Sequence, residues 1–274
     1  MKNHLAVFFA KMIHKTLIKN LNMKKPMTIL TFVFASVTSL FAQKTSPSGI
    51  FEKYRFGLFA GPTFNSMKPT SSVAENYAVE KNGGNIGFSF GINADYHLTE
   101  RYTLFTGIGM DWRGGKINSN LLNNTAVPSK YIRGADVKYN TQYLTIPIGL
   151  KMTATTFDKI KIQVLTSFDL GILLAQKGDV TFHTKNTITG NDTTVIFEKQ
   201  KLGGLATVVP ITLGWSLGIG GEYDLNGKNA VIAQLIYRNG FVDITNPKTN
   251  DEGKRFSDGN IRSNTFAIRI GYTF

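Results

Sequence analysis

RSNTFAIRIGYTF, running from Arg262 to Phe274, is the stretch on which the reading of the whole chain turns. Phe266, Ile268, Ile270, Tyr272 and Phe274 fall on one face of a strand, and Thr265, Ala267, Arg269, Gly271 and Thr273 fall on the other. A strand at the end of a chain is ordinarily a weak edge that frays. Such clean alternation, ending on the ring of Phe274, predicts instead a strand paired on both sides, as the closing stave of a barrel.

The same period-two pattern recurs upstream in seven further segments. The first, about Glu52 to Asn65, sets Tyr54, Phe56, Leu58 and Ala60 against Arg55, Gly57, Phe59 and Gly61. The second, about Asn85 to Leu98, is the cleanest, with Ile86, Phe88, Phe90, Ile92, Ala94, Tyr96 and Leu98 opposite Gly87, Ser89, Gly91, Asn93, Asp95 and His97. The third begins at Tyr102 and carries Leu104, Ile108, Met110 and Trp112 against Gly107, Gly109, Asp111 and Arg113. The fourth, about Lys138 to Thr153, puts Leu144, Ile146, Ile148, Leu150 and Met152 opposite Tyr143, Thr145, Pro147, Gly149 and Lys151. The fifth and sixth, about Lys159 to Gln176 and Thr207 to Asp224, alternate in the same way. They place Lys161 and Asp169, and then Glu222, on the polar face. The seventh, about Ala230 to Phe241, is less decisive, with Val231, Ala233, Leu235 and Tyr237 against Ile232, Gln234, Ile236 and Arg238.

Connections after the second, fourth and sixth segments are short, the last of these containing Asn226-Gly227, a strong hairpin signal. Those after the first, third, fifth and seventh (66–84, 114–137, 177–206 and 242–261) are long and polar. Short turns on one side and long loops on the other, with an even strand count, are the layout of bacterial outer-membrane barrels. The expected fold is all-β: an eight-stranded antiparallel up-and-down transmembrane barrel over residues 52–274.

The polar face separates a membrane barrel from a soluble one, which would also alternate. It is rich in glycine, a poor residue for a solvent-facing strand. It also carries Arg55, Asp95, Asp111, Arg113, Lys151, Lys161, Asp169, Glu222, Arg238 and Arg269. A narrow lumen needs small residues beside large ones and needs its buried charges paired, so this face is expected to point inward as a charge network. Arg269 has Asp169 as its candidate partner. On the other face, Tyr54, Tyr96, Tyr102, Tyr223 and Tyr272 lie at the short-turn ends, while Trp112 and Tyr237 lie near the long-loop ends. That is the expected pair of aromatic girdles around a lipid-facing band.

The N-terminal region reads differently. From Met23 the chain runs MKKPMTILTFVFASVTSLFAQ, with two lysines, an apolar run from Met27 to Phe41, and Ala42 before Gln43. This is the layout of an export signal, expected to be cleaved after Ala42, and the run is short for a membrane span. Residues 1–22 are expected to be an upstream extension from an early start, 23–42 the signal peptide and 43–51 a linker.

Composition fits an all-β envelope protein: 27 Gly, 20 Phe and 10 Tyr among 274 residues, with 18% charged. Cysteine is absent, which excludes disulfides, thiolate metal sites and lipid attachment at a Cys. The formal charge of +13 includes Lys2, Lys11, Lys15, Lys19, Lys24 and Lys25, with no acid before residue 43. Removing those six leaves 31 − 6 = 25 basic against 18 acidic residues, or +7. No basic run with interleaved aromatics appears, so nucleic acid is not an expected partner.

YLTIPIGLKM (Tyr143 to Met152), FDLGILLAQKGDV (Phe168 to Val180), IYRNGFVDIT (Ile236 to Thr245) and the terminal FAIRIGYTF are ordered and spaced as in the PorT-like outer-membrane β-barrel family of Bacteroidota, which the chain resembles over about residues 50–274. The resemblance implies an eight-stranded barrel whose Phe274 serves as a signal to the outer-membrane assembly machinery. It implies outer-membrane lipids as surroundings and, for some relatives, a role in type IX secretion.

Few residues offer catalytic chemistry. His97 and His183 are the histidines beyond Ala42, the first on the polar face beside Asp95 and the second in the third long loop near Lys185. Neither has a serine at suggestive spacing, and two distant histidines make no metal-ligand pattern. GWSLGIGG (Gly214 to Gly221) looks like a phosphate loop but lies mid-strand, with no helix behind it. No cofactor or metal is expected. The expected function is a non-enzymatic envelope barrel with structural or interaction duties, serving a secretion machine or another envelope partner. The alternative is a small barrel holding a hydrophobic or peptide ligand in its lumen or loops. Loop three, with Lys177, Asp179, Lys185, Asp192, Glu198, Lys199 and Lys201, is the expected contact surface.

Overall fold

A computed structural model describes residues 53–74, 76–122, 132–185, 192–200, 207–226, 229–245 and 258–274. The expected leader, its cleavage after Ala42 and the linker to residue 51 lie outside the described residues.

Among the described residues, ten strands form one sheet: β1 (Tyr54–Pro69), β2 (Val73–Ala74), β3 (Tyr77–His97), β4 (Tyr102–Leu121), β5 (Gly134–Phe157), β6 (Ile160–Lys185), β7 (Asp192–Gln200), β8 (Ile211–Asp224), β9 (Ala230–Gly240) and β10 (Ile261–Thr273). Neighbours in the sheet follow the order β1-β10-β9-β8-β6-β5-β4-β3-β2, and an antiparallel β1–β3 pairing closes the ring. Among the described residues, β1, β10, β9, β8, β6, β5, β4 and β3 pair in turn around that ring. The other two, β2 and β7, are short partners of β3 and β6 on the long-loop side. The closing strand β10 pairs with β1 from Gly57↔Thr273 to Pro69↔Ile261, and with β9 from Thr273↔Ala230 to Asn264↔Asn239. Its backbone is thus satisfied on both flanks, which hydrocarbon surroundings demand.

Tight connections link β3 to β4, β5 to β6 and β8 to β9. At Asp158 the turn needs a positive φ of 49°, a conformation Asp tolerates better than most residues. The long-loop side departs from the expectation. Among their described residues, stretches 66–84, 114–137 and 177–206, read above as loops, are largely strand: β3 begins at Tyr77, β4 continues to Leu121, β5 starts at Gly134, and β6 runs on to Lys185 before pairing with β7.

The reason is an inversion of sidedness along each strand. On the short-turn half, large apolar side chains face outward, including Leu58, Leu104, Ile108, Ile148, Phe168, Leu217 and Ile270, all more than a third exposed. On the long-loop half the outer face carries Asn118, Asp136, Lys138 and Asp179. There the inner face holds Val79, Ile117, Val137, Tyr139 and Val180. These pack with Met67, Ile132, Val208, Ile244 and Ile261 into the larger of two apolar cores among the described residues. On β4 the outward apolar band runs from Tyr102 to Trp112, which at about 3.3 Å per residue and a tilt of about 40° spans about 25 Å, the height of a lipid-facing band. Above it β3–β6 stand as a wall built like a water-soluble sheet.

Candidate functional site

The lumen of the short-turn half is filled by interlocking side chains. Phe59 projects from β1 across Gly91 and Gly109. A Cβ added at those positions would come within 2.8 and 3.1 Å of its ring, so glycines there make room for the aromatic group. Between such rings lie the charged residues, which brace strands that are not neighbours in the sheet.

Three groups of ion pairs appear. Nearest the short turns, Arg55 Nη1 donates to Glu222 Oε1 at 2.7 Å, joining β1 to β8, and Gln163 Nε2 donates to Glu222 Oε2 at 3.1 Å. Lys151 Nζ donates to both Asp95 oxygens, at 2.8 and 2.6 Å, joining β5 to β3. Higher up, Arg238 on β9 bridges the lumen: its Nη1 donates to Asp111 Oδ2 at 2.6 Å and its Nε to Asp169 Oδ2 at 2.7 Å. Asp111 also accepts from Arg113 Nη2 and Thr145 Oγ1, both at 2.8 Å. Asp169 accepts from Ser167 Oγ at 3.0 Å and also from Ser216 Oγ. Removing charges from water is costly unless they are paired and hydrogen-bonded, and these geometries supply most of that compensation, with Arg55 Nε and Arg113 Nε left without a partner.

Two of the ten sequence-selected charges are placed otherwise. Lys161 sits at the rim, its side chain 40% exposed and its Nζ 4.0 Å from Glu222. Arg269 does not pair with Asp169, because Arg238 and two serines occupy that carboxylate. Its guanidinium instead stacks on Phe59, 4.2 Å from the ring centroid. Which acid meets which base depends on the stagger of strands across the lumen, and alternation carries no information about that.

Tyr54, Tyr102, Trp112, Tyr223, Tyr237 and Tyr272 lie exposed on the outer face, and the half-buried Tyr96 packs against Tyr54 with ring centroids 4.9 Å apart. The ring of Phe274 stacks on Tyr272 at 6.1 Å, and its backbone N–H donates to the Phe56 carbonyl at 2.8 Å.

The histidines are apart from each other. His97 Nδ1 lies 2.8 Å from Thr103 Oγ1, while His183, expected in a loop, is on β6 with Nε2 3.2 Å from Asp136 Oδ2. Of the expected contact surface, Lys177 and Asp179 stand on β6 and Glu198 on β7, whereas Lys201 lies outside the described residues. GWSLGIGG lies within β8, where Gly214, Gly218 and Gly220 face packed neighbours and Gly221 faces open space. Two lumen cavities have water-accessible volumes of about 20 and 10 Å³, far below the roughly 300 Å³ and upward that organic ligands occupy. The hydrophobic-ligand alternative therefore gains no room in the lumen. A third cavity, of about 320 Å³, opens on the long-loop side between Asn120, Arg133, His183 and Thr194.

A closed antiparallel ring with an apolar outer band and a braced polar lumen defines an outer-membrane β-barrel. The chain belongs to the family described as outer membrane protein beta-barrel domain, whose model matches residues 41–203. No curated protein sequence matches it. Among solved structures it is similar to Ail, the attachment invasion locus protein of Yersinia pestis, at 12% identity and TM-score 0.33, covering 81% of this chain and 99% of that one. It is similar to Neisserial surface protein A at 13% identity and TM-score 0.37, with 79% and 95% covered. For the outer membrane protein OprG of Pseudomonas aeruginosa the values are 12%, 0.38, 81% and 96%.

Proposed function

We propose that this outer-membrane barrel is non-enzymatic and non-transporting, and that it holds a rigid β-wall away from the membrane to engage another envelope protein. The observation that carries this reading is the wall: β3–β6 continue past the apolar band with a polar outer face and their own packed core. A barrel that needed only to fill its lumen would have no use for that core. The braced lumen supports the absence of transport. The PorT-like resemblance favours a component of a secretion machine as the partner.

The test is the mass of the particle extracted from the native outer membrane in mild detergent. A large particle with defined co-purifying subunits is the expected result. It should be lost when Lys138 and Asp179, an ion pair at 3.3 Å on the outer face of the wall, are both reversed in charge. A particle holding one barrel and its detergent would overturn the proposal.

A further inference from the structure

Among the described residues, Arg269 is the one lumen cation without an ion pair, although Asp111 and Asp169 lie near enough to attract it. Five lumen cations (Arg55, Arg113, Lys151, Arg238 and Arg269) face four buried carboxylates (Asp95, Asp111, Asp169 and Glu222), and each carboxylate is held by a cation other than Arg269. Arg269 is 8% exposed, and its Nε, like those of Arg55 and Arg113, is sealed from water without an acceptor. Guanidinium carries five N–H donors and keeps its charge in any protein. Stacking on Phe59 covers one face of the group but satisfies none of those donors.

The guanidinium borders the cavity of about 20 Å³. Gln234, its cross-strand neighbour on β9, borders the same cavity, is also 8% exposed, and has no protein hydrogen-bond partner among the described residues. Asp169 lies on the cavity wall too, but Arg238 and Ser216 cover its Oδ2 and Ser167 its Oδ1. A cavity of this size admits one or two water-sized spheres. One or two waters cannot accept from five guanidinium donors and an amide, nor can they cancel a buried charge. A monatomic anion at one edge of the guanidinium accepts from the paired N–H groups there and from the amide, and it offsets the charge. It accepts from several directions, and phosphate, sulfate or a carboxylate would not fit.

We propose that the barrel lumen binds a single halide ion, chloride in its native setting, held between the Arg269 guanidinium and the Gln234 amide. The ion gives the Arg269 guanidinium an acceptor and fixes β10 to β9 from the inside.

The full chain, exported and purified from the membrane, provides the test. Crystals soaked in sodium bromide should give an anomalous peak within hydrogen-bond distance of Arg269. The thermal unfolding midpoint should rise when chloride replaces gluconate at equal ionic strength and pH. Gln234→Leu keeps the charge and removes one donor, so it should raise the chloride concentration for half-maximal effect about ten-fold. Arg269→Met should abolish the rise. If that variant does not fold, bromide soaking of the wild-type protein decides. No bromide at Arg269, or equal midpoints in the two salts, overturns the proposal.

Discussion

Asp111 receives three hydrogen bonds on one oxygen, from Arg113, Arg238 and Thr145, and stands between two guanidinium groups that would otherwise face each other. Replacing it by Asn leaves that pair of cations buried with one carboxylate, Asp169, beside them. Breaking a buried pair from one side costs about 3–5 kcal/mol. Asp111→Asn is therefore expected to lower unfolding stability by that order in a urea titration of the barrel in lipid vesicles. Adding Arg238→Met should recover part of the loss, because the second change removes the uncompensated charge. A single variant as stable as wild type would mean that the bridge carries no weight in the folded lumen. The charged residues themselves were legible in the sequence, since each sits on the glycine-rich face. Their partners were not: Arg238 reaches Asp111 and Asp169 across a register that local alternation does not encode.

At the scale of the strand, the inversion of sidedness sets where lipid ends. Ile108 lies near the middle of the outward apolar band of β4, and Asn118 lies on the same outer face above Trp112. Ile108→Arg places a charge near the bilayer midplane and should cost about 2–4 kcal/mol. Asn118→Arg should be close to neutral, because that part of the strand faces water. Folding yields of the two variants in vesicles would separate them, and equal losses would move the lipid boundary up the wall. The inversion also explains why 114–137 read as loop. Gly114, Gly115, Asn118 and Asn120 break the apolar-out pattern, while Ile117, Ala135 and Val137 preserve the period with the opposite face buried.

Asp258, at the loop-side entry to β10, is 2% exposed, and burial pushes its carboxyl up to about 6, with Asp243 adding repulsion. A carboxyl that holds its proton more tightly when folded than when unfolded stabilises the fold most at low pH. That contribution is present in full below about pH 4 and declines as pH rises toward the folded value of about 6. Hydrogen-exchange protection factors, corrected for the intrinsic rise of exchange with pH, should therefore fall at Ile244 and Ile261, which pack in the adjoining core, between pH 4 and pH 6. Asp258→Asn should flatten that dependence. A wild-type profile already flat over this range would show that the carboxyl does not titrate there.

Over the whole molecule, the alternation of β10, the glycine-rich inner face and the rhythm of short and long connections made a barrel readable before any coordinates. The wall and its short partners β2 and β7 were not readable, because a strand above the lipid obeys the same period with the opposite polarity. The ring itself has a kinetic meaning. Its closing ladder joins Gly57 to Thr273, residues near opposite ends of the described chain, so almost the entire loop-closure entropy falls on one late event. Until β10 has arrived, β1 lacks one flank and β9 lacks another, and every earlier species exposes two open edges that invite pairing with other chains. Chaperoning in transit must therefore last until the final ladder zips, and a chain interrupted before Ile261 is a candidate for aggregation or proteolysis rather than a smaller working barrel.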